Sequence, residues 1–157
     1  MDRVVRNRRN YVVITMRRYP RFINRAYRDE YVSEMSPDWP LFEDWLKAKR
    51  KDDDHNGAFS KSDFEERFTI SELGLEHLAR LCALAIKKDV YFICSCKTGQ
   101  RCHRELVLMI AAKLFKNVKV EKPLNSYPVF QERLAGRNFT KEVVRTETHS
   151  KKTKKRA

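Results

Sequence analysis

Val90-Tyr91-Phe92-Ile93-Cys94-Ser95-Cys96-Lys97-Thr98-Gly99-Gln100-Arg101-Cys102-His103-Arg104 decides the fold of this chain. Its first five residues are apolar without alternation, the pattern of a central strand covered on both faces. Lys97 to Gln100 reads as a turn, with Gly99 free to adopt a tight one. From Cys102 to about Phe115 the spacing predicts a helix, apolar nearly all round between Leu106 and Ala112. Val118-Lys119-Val120 then reads as a short strand. A strand–helix–strand unit of this kind is right-handed and parallel.

Working outward, Tyr11-Val12-Val13-Ile14-Thr15 is a β-branched run of strand length, closed by Arg17-Arg18-Tyr19-Pro20-Arg21. Pro37 and Pro40 bracket a turn, after which Leu41, Phe42, Trp45 and Leu46 share one helical face. Ser62-Asp63-Phe64-Glu65 and Thr69-Ile70-Ser71-Glu72 read as capping boxes. The second opens a helix with Leu75, Leu78, Cys82 and Ile86 at helical spacing. A weak last helix is expected over Val129 to Ala135. The expected fold is α/β: a small, mainly parallel sheet of three or more strands, helices on both faces, and helical insertions between the first and central strands.

The chain has 157 residues, 41% of them hydrophobic, which suits one folded domain. Its formal charge is +13, but residues 1–10 carry +3 and residues 137–157 carry +6, leaving +4 for everything between. The expected organisation is therefore a basic N-terminal segment (1–10), an α/β domain (11–136) and a poorly ordered basic tail (137–157). Basic ends attract polyanions such as nucleic acid, or merely keep a protein soluble. No run approaches the ~20 apolar residues of a membrane helix, and no secretory leader is legible. A cytoplasmic protein, with no membrane partner, is expected. In that compartment Cys82, Cys94, Cys96 and Cys102 stay reduced and serve as core, catalyst or ligand. Nothing in the sequence sets the oligomeric state.

The chemistry concentrates where the second strand turns into the Cys102 helix. Ligands of open α/β sheets bind at the carboxyl ends of strands. A helix start offers unpaired N–H groups to an anion, and Arg101 and Arg104 add charge suited to a carboxylate or phosphate. The same field favours a Cys102 thiolate, the reactive form of the thiol. His103 adjoins it as a proton donor, although neighbours on a helix point about 100° apart.

Cys94, the seven residues after it and Cys102-His103-Arg104 resemble the signature of the domain-of-unknown-function 488 family. Arg17-Arg18-Tyr19-Pro20-Arg21 is similar to that family's Arg-x-aromatic-Pro-Arg motif. Ser36-Pro37 and the Phe59 to Phe68 stretch fall where the family has similar patterns. The resemblance runs over roughly residues 11 to 115. It implies a compact α/β domain in which the two motifs converge, and it carries Arg17, Arg21, Cys94, Cys102, His103 and Arg104 over as site residues. It implies no established activity. Cys96 and Lys97-Thr98-Gly99 stand where a more acidic loop is expected of the family, so the mouth of the site is more positive here.

Other chemistries fit less well. Cys94, Cys96, Cys102 and His103 are soft donors, but Cys-x-Cys on a strand is not the usual zinc knuckle. Asp52, Asp54, Asn56, Gly57 and Asp63 match positions of an EF-hand loop, yet the loop is single and ends in Asp rather than Glu. The Cys96 to Arg101 turn resembles a cysteine-phosphatase anion loop but has four intervening residues instead of five. Neither a metal nor any other cofactor is expected. Two functions remain. One is a thiol-dependent enzyme on an anionic small molecule, with Cys102 as nucleophile or redox thiol, Cys94 or Cys96 as resolving partner and His103 as acid/base. There, Arg17, Arg21, Arg101 and Arg104 form the anion clamp. The other is a non-catalytic module that binds phosphate, a nucleotide or nucleic acid.

Overall fold

The computed structural model describes residues 6–141. Three parallel strands make the sheet: β1 (Asn10–Ile14), β2 (Glu30–Tyr31) and β3 (Asp89–Ile93), in the order β2-β1-β3. Val12 pairs with Tyr91 and Val13 with both Phe92 and Glu30, so β1 is the central strand. Among the described residues there are six α-helices: α1 (Trp39–Asp52), α2 (His55–Lys61), α3 (Phe64–Arg67), α4 (Glu72–Ala85), α5 (His103–Leu114) and α6 (Pro128–Ala135). This is the expected α/β class in a single domain.

Alternation along the strands divides the core in two. Val13 on β1 packs with the helices, beside Phe68, Leu78, Leu106, Ile110 and Phe130. Val12, Ile14 and Ile93 face the opposite way, onto Met16, Tyr19, Ile23 and Tyr31. The second face is thus closed by the segment after β1 rather than by a helix layer. Burying these side chains stabilises the fold by about 1.5–3 kcal/mol each relative to leaving them exposed.

Several local expectations are corrected. β3 lies at the sheet edge, and Tyr91 is 40% exposed; an unbroken apolar run does not by itself make a strand central. Val118-Lys119-Val120 forms no strand, because its two valines pack onto the core without a ladder partner. The third strand is instead Glu30–Tyr31, too short and mixed to stand out. Ser62 opens no helix: it is the C-cap of α2, its hydroxyl donating to the carbonyls of Ala58 and Phe59. Ser71, not Thr69, caps α4 through Gly74 N. Ile86 falls beyond α4 and is exposed.

The calcium-like spacing is also dissolved. Residues 55–61 are helix α2, Asp54 caps that helix through Gly57 N, and Asp52 pairs with Lys61. A helix holds these side chains apart instead of wrapping them round an ion. At the C-terminus, residues 137–141 still meet the body. Phe139 is buried, and its carbonyl accepts the Ile70 amide at 2.9 Å. Residues 142–157, the rest of the expected basic tail, lie outside the described residues, as do residues 1–5. Among the described residues no helix is long and apolar enough to cross a membrane.

Candidate functional site

The carboxyl ends of β1 and β3 and the start of α5 meet at one edge of the sheet. Thr15 continues β1, its amide donating to Ile93 O at 3.1 Å. The same parity that turns Phe92 toward the helices turns Cys94 toward them too. Cys94, Cys96 and Cys102 bring their sulfurs within 4.8 Å of one another. Cys94 Sγ lies 3.5 Å from Cys96 Sγ and 4.0 Å from His103 Nδ1, and Cys102 Sγ is 3.8 Å from the same nitrogen.

Cys102 and His103 converge because only one of them is helical. Cys102 is the N-cap residue, with extended backbone (φ −149°, ψ 140°), so the 100° separation of helical neighbours does not apply. The His103 ring is fixed from behind: Nε2–H donates to the Thr15 carbonyl at 2.8 Å. Nδ1 is thereby aimed at the sulfurs.

The ionisation of the cluster follows from this packing. The Cys102 and Cys96 thiols, hydrogen-bonded toward the Cys94 sulfur, outweigh its burial, and with the His103 charge they hold it well below the usual thiol range. Burial alone works against a charged His103, but the Cys94 and Cys102 sulfurs overcome it and lift the imidazole well above its usual value. Cys102 is driven the other way by Cys94, Cys96 and burial. A bond to Cys102 favours a Cys96 thiolate, yet Cys94 and burial prevail and push its thiol up to about 12. These directions favour negative charge on Cys94 beside a charged His103, and the neutral thiol at Cys96 and Cys102.

These atoms form one wall of a cleft of about 220 Å³. The cleft is lined as well by Phe42, Trp45 and Lys49 of α1 and by buried Phe59 and Phe64, with half-buried Arg17 and exposed Arg18 at its rim. The α1 side chains went unassigned to the site in the sequence, where their spacing reads simply as a packed face; Lys49, seven residues after Phe42, was the available signal.

The four arginines expected at the site part company. Arg17 lines the cleft, with Nε donating to Pro37 O at 2.8 Å and a terminal nitrogen 3.4 Å from Ser36 O. Arg21 is exposed and does not line it. Arg101 lines it but is committed elsewhere, to Glu65 and the Ser126 carbonyl, both at 2.8 Å. Arg104 reaches the Phe92 carbonyl at 3.4 Å, outside the cleft wall. The amides at the helix start are partly occupied as well. Arg101 N donates to Asn56 and Cys102 N to the Tyr127 hydroxyl at 3.1 Å. Tyr127 in turn donates to buried Glu105, which also accepts Leu124 N at 2.6 Å and Asn125 Nδ2 at 3.1 Å.

Among the described residues, Cys94, Cys96 and Cys102 are the group that could hold a metal ion, with His103 Nδ1 near two of them. Three sulfurs and an imidazole are soft donors of the kind that select zinc over magnesium or calcium.

No curated protein matches the chain, and no solved structure matches it. One protein-family model does, that of the active DUF488-N3 subclade, DUF488-N3a, over residues 3–117. That span takes in β1, Arg17, the α1 wall of the cleft, all three clustered cysteines and His103, and on this match the chain belongs to the DUF488 family.

Proposed function

We propose that this protein is a thiol-dependent enzyme acting on an anionic small molecule, with Cys94 as the attacking thiol. The observation that carries the reading is geometric. Cys94 Sγ, at the cleft wall, sits 4.0 Å from an imidazole nitrogen whose ring is locked by Thr15. Nucleophile, base and a third orienting group are the parts thiol catalysis requires. The matched subclade is described as active, which agrees with the reading.

Cys94 takes the part in preference to Cys102 because it is the more open of the two, 6% exposed against 1%. The Cys96 sulfur also lies 3.5 Å away, and that of Cys102 within 4.8 Å. In the reaction its sulfur gives an electron pair to an electrophilic centre of the substrate, forming a covalent S–substrate bond. The bond to the leaving group breaks with its electron pair, and His103 supplies the proton from Nδ1. Water then attacks the adduct, and His103 takes back a proton as Cys94 is released. Cys102 and Cys96 stabilise the sulfur by hydrogen bonding. Arg17 and its neighbours at the rim hold the substrate's charge.

The test is the rate of Cys94 alkylation by iodoacetamide between pH 6 and 9, read by peptide mass spectrometry. The expected rate is nearly flat, and Cys94→Ser abolishes the modification at that position. An ordinary thiol would instead accelerate about tenfold per pH unit up to ~8.5. Such a rise, or a native protein that carries one tightly held zinc per chain and whose cluster alkylates only after chelation, would overturn the assignment.

A further inference from the structure

We infer that the cleft takes a small molecule in which an aromatic ring and an anionic group are joined, the ring against Trp45 and Phe42 and the anion at Arg17, Arg18 and Lys49. The inference rests on the proposed function only for where the ligand sits, over the thiols.

Among the described residues, no aspartate or glutamate lines the cleft. The cations at its rim form no ion pair among the described residues, unlike Arg101, whose charge is answered by Glu65 at 2.8 Å. Among the described residues, Arg17 directs its guanidinium hydrogen bonds to the main-chain carbonyls of Ser36 and Pro37. It is half-buried, and that burial lowers its guanidinium from its usual value. Asp38 and Glu34 act on it from a distance without pairing, and burial outweighs them, so an anion in direct contact would complete it.

Each rim cation also stands by a ring. Arg18 is 5.4 Å from the Trp39 ring and 5.6 Å from that of Phe42, Arg17 is 5.5 Å from Trp39, and Lys49 is 5.3 Å from Trp45. Phe42 and Trp45 lie near parallel, 26° apart, and Phe59 and Phe64 stack below them. Apolar floor and basic rim are therefore side by side, and one ligand can use both. An apolar cavity of about 150 Å³ accepts a benzene, so about 220 Å³ leaves room for one ring and its charged substituent.

The chain has two tryptophans, Trp39 and Trp45, and both belong to this neighbourhood. Tryptophan fluorescence of the full-length protein is titrated with AMP, phenyl phosphate, adenosine and inorganic phosphate at constant ionic strength. AMP or phenyl phosphate is expected to bind at least about tenfold more tightly than adenosine or phosphate alone. If AMP leads, the ligand is a nucleotide; if phenyl phosphate equals it, any ring-bearing phosphate serves. Exposed Arg18→Ala and partly exposed Lys49→Ala leave the fold intact and weaken the better ligand several-fold, with adenosine unchanged.

Phosphate binding as tightly as the ring-bearing ligands, or no saturation by any of the four, overturns the inference. The titration is repeated on Cys94→Ser, where binding is expected to persist. Loss of ligand binding beside flat alkylation would sink this inference alone. Retained binding beside ordinary alkylation would sink the thiol mechanism alone.

Discussion

Tyr127→Phe tests how the site is braced. The Tyr127 hydroxyl does two things at once: it accepts the Cys102 amide at 3.1 Å and donates to Glu105. Phenylalanine keeps the ring, so its packing on Phe59 and under the Arg101 guanidinium is retained. What goes is the oxygen. The Cys102 N–H is left buried without an acceptor, and the Glu105 carboxylate loses one of three donors. Each such loss costs about 1–3 kcal/mol, so about 2–6 kcal/mol is expected in all. Glu105→Gln alone should also destabilise, because its amide nitrogen would face Leu124 N–H at the Oε1 position, or the Asn125 amide and Tyr127 hydroxyl donors at the Oε2 position. The double variant should lose clearly less than the sum, since the two groups share one network. Urea unfolding midpoints at neutral pH, read with the far-UV signal, measure all four corners of the cycle. A loss under about 0.5 kcal/mol for Tyr127→Phe, or strict additivity, would show that the hydroxyl does not tie α5 to the 124–127 segment.

Other consequences follow from individual contacts. A Cβ at Gly74 would lie 2.6 Å from the Glu34 carbonyl and 2.7 Å from Ile70, so Gly74→Ala must push α4 off the turn at Ser33–Met35. Overpacking of about 1–3 kcal/mol should exceed the gain of about 1 kcal/mol in helix propensity, and a raised urea midpoint would contradict the contact. Phe139→Ala should cost about 3–5 kcal/mol if residues beyond 136 belong to the folded body; an unchanged thermal midpoint would remove them from it. Burial pushes the Cys82 thiol up to about 11. Its folded value is above the unfolded one near ~8.5, so its contribution is complete below ~8.5 and declines as pH rises toward 11. The loss is at most about 1.4 kcal/mol per pH unit. Stability measured from pH 8 to 10.5 should therefore fall less steeply in Cys82→Ala than in the parent, and equal slopes would refute the assignment.

The long elements were legible because their signals are local. The β-branched run at Tyr11 to Thr15, the aliphatic spacing of α4 and the apolar helix after Cys102 each carry their own period. The short elements were not. Glu30–Tyr31 becomes a strand only because Val13 and Ile14 lie beside it, whereas Val118-Lys119-Val120 has the composition of a strand and no ladder to join. Ser62 and Asp63 look like a cap in sequence. The preceding helix instead runs up to Ser62, and Asp63 takes a left-handed conformation at the junction.

For the site, the sequence by itself determined which candidate residues lie close together: Cys94, Cys96, Cys102 and His103 fall within ten positions at a strand-to-helix turn, and this follows from spacing alone. It also marked Arg17, since the end of β1 must fall at the same sheet edge as the end of β3 if the two are parallel. Only the tertiary structure decided how those residues divide the work. Arg101 is answered by Glu65, 36 positions away, and Arg21 is turned out to water. The extended backbone at Cys102, the Thr15 carbonyl behind His103 and the α1 wall bearing Trp45 and Lys49 are arrangements across the fold. Charge and hydrogen bonding act through space over a few ångströms, and no pattern along the chain records which distant groups will arrive within that range.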